Sequence, residues 1–122
     1  MTNIDWSKMI TREMKDAAAA ALVLLAAKSD LVKRNAAAAV QIARIQDRID
    51  TLGYGVDAGE TTAEDETELA ALTISIKAWK AYKFALGKVA TQASWPAAPG
   101  WPTTPAIPDI AADPSVPAPE LA

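Results

Sequence analysis

The stretch Leu52-Gly53-Tyr54-Gly55-Val56-Asp57-Ala58-Gly59-Glu60-Thr61-Thr62-Ala63-Glu64 holds three of the chain's five glycines, and neither Gly nor Pro precedes it. It separates a long alanine-rich run from a second run that contains no proline before residue 96. Such punctuation between two helix-compatible segments predicts a reversal of the chain. Gly53 to Gly59 reads as the connector. Thr61-Thr62-Ala63-Glu64 then reads as a capping box opening the next helix, with Glu60, Glu64, Asp65 and Glu66 at the positive end of its dipole.

Working outward, the first helix is expected to start near Thr11, with Asp5 or Ser7 as earlier alternatives, and to run to Leu52. About 40 residues would span roughly 60 Å. That is long for a small domain, so we expect a bend or break near Lys28-Ser29-Asp30. Leu31, Ala38, Ile42, Ile45, Ile49 and Leu52 recur at intervals of three, four or seven and form its apolar stripe. The second helix should reach about Val89, with a stripe of Leu69, Leu72, Ile76, Trp79, Tyr82 or Lys83, Leu86 and Val89. Its acids lie at the start and lysines 77, 80, 83 and 88 at the end, the order a helix dipole favours.

Two matched stripes across a short connector predict an all-α fold, a long antiparallel helical hairpin over residues 1–94. Folding about residue 57 would set Leu52 near Thr62, Ile45 near Leu69 and Ile42 near Leu72. The runs Ala17–Ala21 and Ala36–Ala39 would let backbones approach closely. One hairpin buries little, which points to a partner, either further copies of itself or a larger assembly.

All eight prolines lie in the remaining segment, residues 95–122. Pro96, Pro99, Pro102, Pro105 and Pro108 recur every third residue, the period of a polyproline II helix, so their rings should share one face. The residue before each proline forms a second face: Trp95, Ala98, Trp101, Thr104 and Ile107, continued by Ile110. This predicts an extended rod about 50 Å long, at roughly 3.1 Å per residue, with an apolar stripe. A low-complexity linker is the plainer alternative. Against it stands the cost of two wet indoles on a stiff rod, when burying each could contribute roughly 1.5–3 kcal/mol. The rod is therefore expected to dock, on this chain's own helices or on a partner. After Asp113 the register slips (Pro114, Pro117, Pro119), and docking should end there.

Composition excludes much chemistry. Of the 122 residues, 51% are hydrophobic, but 28 residues are alanine, so large apolar side chains are few. Cysteine and histidine are absent, which removes disulfides, thiolate nucleophiles, imidazole bases and Cys/His metal sites. The acids Asp57, Glu60, Glu64, Asp65, Glu66 and Glu68 do not follow the alternation of a calcium loop and read as a solvated connector. A net charge of −3 argues against nucleic acid. The lysines beside Trp79 and Tyr82 read as dipole complement, and those two aromatics more readily as core than as a ligand platform. The longest uncharged apolar run, Ala17 to Ala27, is too short for a membrane span, and the acidic N-terminal region does not fit a signal peptide. No carboxylate pair is flanked by a nucleophile or a glycine-rich loop. A non-enzymatic protein with no cofactor and no metal is expected, with the cytosol of whatever cell makes it as the default location.

Several stretches resemble a known family. Ile45-Gln46-Asp47-Arg48-Ile49-Asp50-Thr51-Leu52, Gly53, Thr61, Thr62, Glu64, Leu69 and Leu72 are similar to the helical portion of tail fibre assembly proteins of tailed bacteriophages. The strongest likeness is Ala78-Trp79-Lys80-Ala81-Tyr82-Lys83-Phe84-Ala85-Leu86, then Val89 and Trp95-Pro96. That family often ends in a Trp-Lys-x-Tyr-Arg-x-x-Leu-x-x-Val helix followed by Trp-Pro. The resemblance spans residues 45–102, a little under half of the chain. Lys83 stands where the family has Arg, an alanine-rich helix replaces its N-terminal segment, and the second Trp-Pro and the proline ladder are extra. Ile4 to Thr11 more weakly resembles the start of other small phage tail proteins.

The resemblance implies a chaperone or accessory that helps tail fibres fold or trimerise and binds the fibre protein. It carries Trp79, Tyr82, Leu86, Trp95 and Pro96 over to that role. With the rod residues, the expected partner-binding set is Trp79, Tyr82, Trp95, Pro96, Trp101, Pro102 and Ile107. The alternative is a structural tail component kept in the virion, forming homo-oligomers through its alanine-rich helices. Neither reading involves nucleic acid or membrane.

Overall fold

The computed structural model describes residues 6–110, with side chains from Thr11 onward. The expected slip of register at Pro114, Pro117 and Pro119 lies outside the described residues. Two helices account for the architecture: α1, Trp6–Ala58, and α2, Ala63–Val89. They pack as an antiparallel hairpin, as the paired stripes require.

Helix α1 is continuous across Lys28-Ser29-Asp30, where a bend or break was expected. Ser29 and Asp30 are weak helix formers, but the strong helix formers Leu24, Leu25, Ala26 and Ala27 precede them, and Arg34 sits 3.5 Å from Asp30 one turn on. The helix also runs through Gly53 and Gly55, which were expected to lie in the connector. Each helical glycine costs about 1 kcal/mol relative to alanine. Burial of Leu52 and the packing of Ile49 against the core offset that cost.

The chain turns instead at Gly59, whose φ of 69° is the left-handed conformation that glycine alone adopts without penalty. The Gly59 N–H donates to Val56 O and the Glu60 N–H to Gly55 O, both at 3.0 Å. This is a Schellman closure, and it ends the helix six residues later than the first glycine suggests. The capping box is also displaced by one residue. Thr62, not Thr61, is the N-cap: the Asp65 N–H donates to Thr62 Oγ1 at 3.1 Å and the Thr62 N–H to Asp65 Oδ2 at 3.0 Å. Both threonines have an acid three residues on, so spacing alone does not separate the two frames.

The core holds Ala38, Ile45 and Leu52 of α1 against Leu72, Ile76, Trp79, Tyr82, Leu86 and Val89 of α2, with Leu31, Ile42, Ile49 and Leu69 packed at its margin. Tyr82 takes the inward position and Lys83 stays exposed, donating to Asn35 Oδ1 at 3.3 Å. Arg48 forks onto Glu68, with Nε to Oε2 at 2.7 Å and Nη2 to Oε1 at 2.9 Å. These two cross-helix pairs are symmetric about Gly59 and Ala58, so the register sits slightly beyond the expected centre at residue 57. Of the two alanine runs expected at close contact, only Ala38 is buried, while Ala17–Ala21 are all exposed.

The helices differ in length, 53 residues against 27. At about 1.5 Å per residue they span roughly 80 Å and 40 Å. The N-terminal part of α1 therefore extends past the end of α2, and every residue from Thr11 to Val23 is exposed. No helix is long and apolar enough to cross a membrane among the described residues.

Candidate partner-binding surface

Past Val89 the chain folds through successive turns before it straightens. The Thr91 and Gln92 N–H groups donate to Lys88 O and Val89 O, the Trp95 N–H to Gln92 O, and the Ala98 N–H to Ser94 O. Polyproline II has no such internal bonds, so the rod does not begin at Trp95. The Trp95–Pro96 bond in this turn is cis. Residues 99–110 are the extended part, about 37 Å at 3.1 Å per residue rather than 50 Å.

This segment docks on the chain's own hairpin. Gln92 clamps its start, Nε2 donating to Gly100 O at 2.8 Å and Oε1 accepting from the Gly100 N–H at 2.7 Å. Further along, Thr104 Oγ1 donates to Tyr82 Oη at 3.4 Å, the Trp79 indole N–H to Ala106 O at 3.1 Å, and Arg44 Nη1 to Pro108 O at 2.7 Å. The Arg34 guanidinium lies 4.5 Å from the centre of the Trp101 ring, and Trp95 meets Trp101 edge to face at 6.4 Å. Ile110 completes the core. The tail thus runs parallel to α1 and antiparallel to α2, over the groove between them.

Burial along it has a period of three. Pro99, Pro102, Pro105 and Pro108 are half-buried, whereas Ala98, Thr104 and Ile107 are exposed. The prolines share a face as expected, but they, and not the residues before them, turn to the helices. The hydrogen bonds explain the choice: a proline segment has free carbonyls, and the donors on Trp79 and Arg44 fix its rotation so that Ala106 O and Pro108 O meet them. Only Ile110 of the other face is buried, with Trp95 and Trp101 at the edge.

The expected partner-binding residues therefore fall into three settings. Trp79 and Tyr82 are 2% and 5% exposed and meet edge to face at 5.6 Å, beneath the tail. They act in the core, where their polar atoms also hold the tail. Trp95, Pro96, Trp101 and Pro102 are half-buried at its margin, and Ile107 is 65% exposed on its outer side. Pro96 and Trp101, with Ala97 and Pro99, form one wall of a cleft of about 270 Å³ whose other wall is Val23, Ala26, Ala27 and Asp30 of α1. This cleft lies where the bare part of α1 leaves the hairpin. It is apolar on both walls with one carboxylate at the rim, suited to an aliphatic side chain or the edge of another chain.

Arg34, Arg44 and Gln92, which fix the tail, carried no distinguishing pattern in the sequence. Gln92 and Gly100 are eight residues apart and meet only because the intervening turns bring them together. Among the described residues, no cluster of acids could hold a metal ion. No known protein family, curated protein or solved structure matches this chain.

Proposed function

We propose that this chain is a non-enzymatic assembly protein of a phage tail, a chaperone or accessory that binds the fibre protein. The reading rests on the resemblance, and one observation supports it. Trp79, Tyr82, Leu86, Val89 and Trp95, the residues that carry the likeness, belong to one packed cluster that presents the turn at Pro96 and the rim at Trp101. The same residues that build the core therefore shape the cleft and the outer edge formed by Trp95, Pro96, Trp101, Pro102 and Ile107. An apolar segment of the fibre protein would seat in the cleft, with Ile107 extending the contact along the tail.

Co-expression with candidate fibre proteins, followed by size-exclusion chromatography with mass detection, tests this. Capture of a fibre protein by the wild type, lost in Val23→Glu and kept in Ile74→Glu, is expected, since Val23 lines the cleft and Ile74 is exposed on α2. Capture of no fibre protein overturns the reading. The second reading, a structural component retained in the virion, is favoured by the bare length of α1 and requires stoichiometric presence in purified particles by mass spectrometry.

A further inference from the structure

Helix α1 has a second apolar stripe on the side away from the hairpin core. Met14, Leu22, Leu25, Val32 and Val40 are each between 60% and 67% exposed. At about 100° per residue they fall within roughly 80° of arc, opposite Ala27, Ala38, Ile45 and Leu52. The positions between them on that arc are Ala18, Ser29, Ala36 and Ala43. No charge interrupts the stripe over residues 14–43, about 45 Å of helix. Single exposed apolar residues are ordinary, but five on one line, with small residues between them, form a continuous face. Neither α2 nor the docked tail covers it.

Charge at the two ends of the stripe identifies what covers it. Lys15 flanks its N-terminal end and Asp47 and Asp50 its C-terminal end, while Lys28 and Lys33 border its middle on opposite sides. Arg44 and Arg48, near the acidic end, are turned to Pro108 O and Glu68. A second copy laid parallel would set like charges together. Laid antiparallel, it brings the basic end of each helix against the acidic end of the other. Centring that arrangement near Leu31 matches Leu22 with Val40, Leu25 with Ala36, Ser29 with Val32 and Ala18 with Ala43. Leu25 and Val32 then face the partner's smaller Ala36 and Ser29, and Leu22 meets Val40 on either side of them, a spacing that helix packing accommodates.

We propose that the chain forms an antiparallel homodimer through this outer stripe of α1, centred near Leu31. The interface is independent of the cleft and of the fibre-binding reading.

Sedimentation equilibrium of the full chain should give a dimer with Kd tighter than about 100 μM. Val32→Glu would place a charged carboxylate in the apolar centre and should weaken association at least tenfold without loss of helicity by circular dichroism. Phe84→Glu, exposed on α2, should leave the dimer intact. Lys15→Glu should weaken the dimer, and adding Asp47→Lys should restore it. Orientation is readable by cross-linking because the chain has no cysteine. Leu22→Cys with Val40→Cys together should oxidise to a covalent dimer, and Leu22→Cys alone should not. A monomer at 100 μM, a Val32→Glu dimer of unchanged affinity, or ready cross-linking of Leu22→Cys alone overturns the proposal.

Discussion

Residues 11–26 and 27–58 belong to one unbroken helix, and both stretches are alanine-rich, yet they are held by different forces. The second stretch lies under α2 and the docked tail, and its Ala38, Ile45 and Leu52 are buried. The first has no buried residue, and its Val23 and Ala26 line one wall of the cleft. Tertiary packing nucleates the helix, and propensity then extends it, because adding a residue to an existing helix avoids the cost of starting one. The comparison separates two roles that composition alone merges. Alanine makes α1 long, and a few larger residues at seven-residue spacing decide which part becomes a hairpin.

The largest effect should come from removing the side chain on which both the hairpin and the tail depend. Trp79→Ala takes out a buried indole and the N–H that holds Ala106 O. It should destabilise the fold by about 3–5 kcal/mol in chemical denaturation. Loss of tail protection in hydrogen exchange should accompany it, while amides of residues 11–26 keep the rates they had. Unchanged stability would mean that the tail and core are not built on this residue.

How far this arrangement was legible differs between regions for physical reasons. The stripes were readable because a residue such as Ile45 or Leu86 has only one low-energy place on an amphipathic helix, facing the other helix. The helix end was not, because Gly53 and Gly55 carry the same local signal as Gly59 and only the hydrogen bonds at Gly59 and Glu60 separate them. The capping frame was ambiguous for a similar reason, Thr61 and Thr62 each having an acid at the right distance. In the tail, the threefold period fixed which residues share a face but not which face turns inward. That rotation depends on Trp79 and Arg44, 27 and 64 residues away from the carbonyls they meet.

Gln92→Ala tests the start of the tail. It removes both bonds to Gly100 while leaving the proline face in place. Two part-solvated hydrogen bonds should contribute about 1–2 kcal/mol together. The loss should be local, seen as faster exchange at Gly100 and Trp101, with a smaller change in the global midpoint than Trp79→Ala produces. An equal change from the two variants would show that tail and hairpin unfold as one unit.

A matched pair of glycine substitutions sharpens the contrast within α1. Ala19 and Ala37 are both exposed, one on the bare stretch and one on the covered stretch. Each Ala→Gly change should cost about 1 kcal/mol of helix. In dilute protein, Ala37→Gly should lower the denaturation midpoint, because that turn unfolds with the core. Ala19→Gly should leave the midpoint where it is and raise only the exchange rates near residue 19. A common shift in midpoint would place the bare stretch inside the cooperative unit.

The smallest expected effect concerns the Arg48–Glu68 fork, which lies on the covered side. The hydrogen bond from Arg48, helped by the charge attraction, holds the Glu68 carboxyl below its ordinary value near 4.5, with partial desolvation and Asp65 opposing. A carboxyl whose folded pKa is depressed contributes stability above its unfolded value and loses it as pH falls through the folded value. The contribution should therefore be complete above about pH 5 and disappear below the ordinary carboxyl range. Solvent reaches both side chains, so screening keeps it well under about 1 kcal/mol. Glu68→Gln should flatten the corresponding step in denaturation midpoint against pH. If the variant and the wild type fall in parallel between pH 5 and 3, the fork adds nothing to the hairpin, and burial of Leu52, Leu72 and Ile76 alone holds that end of the two helices together.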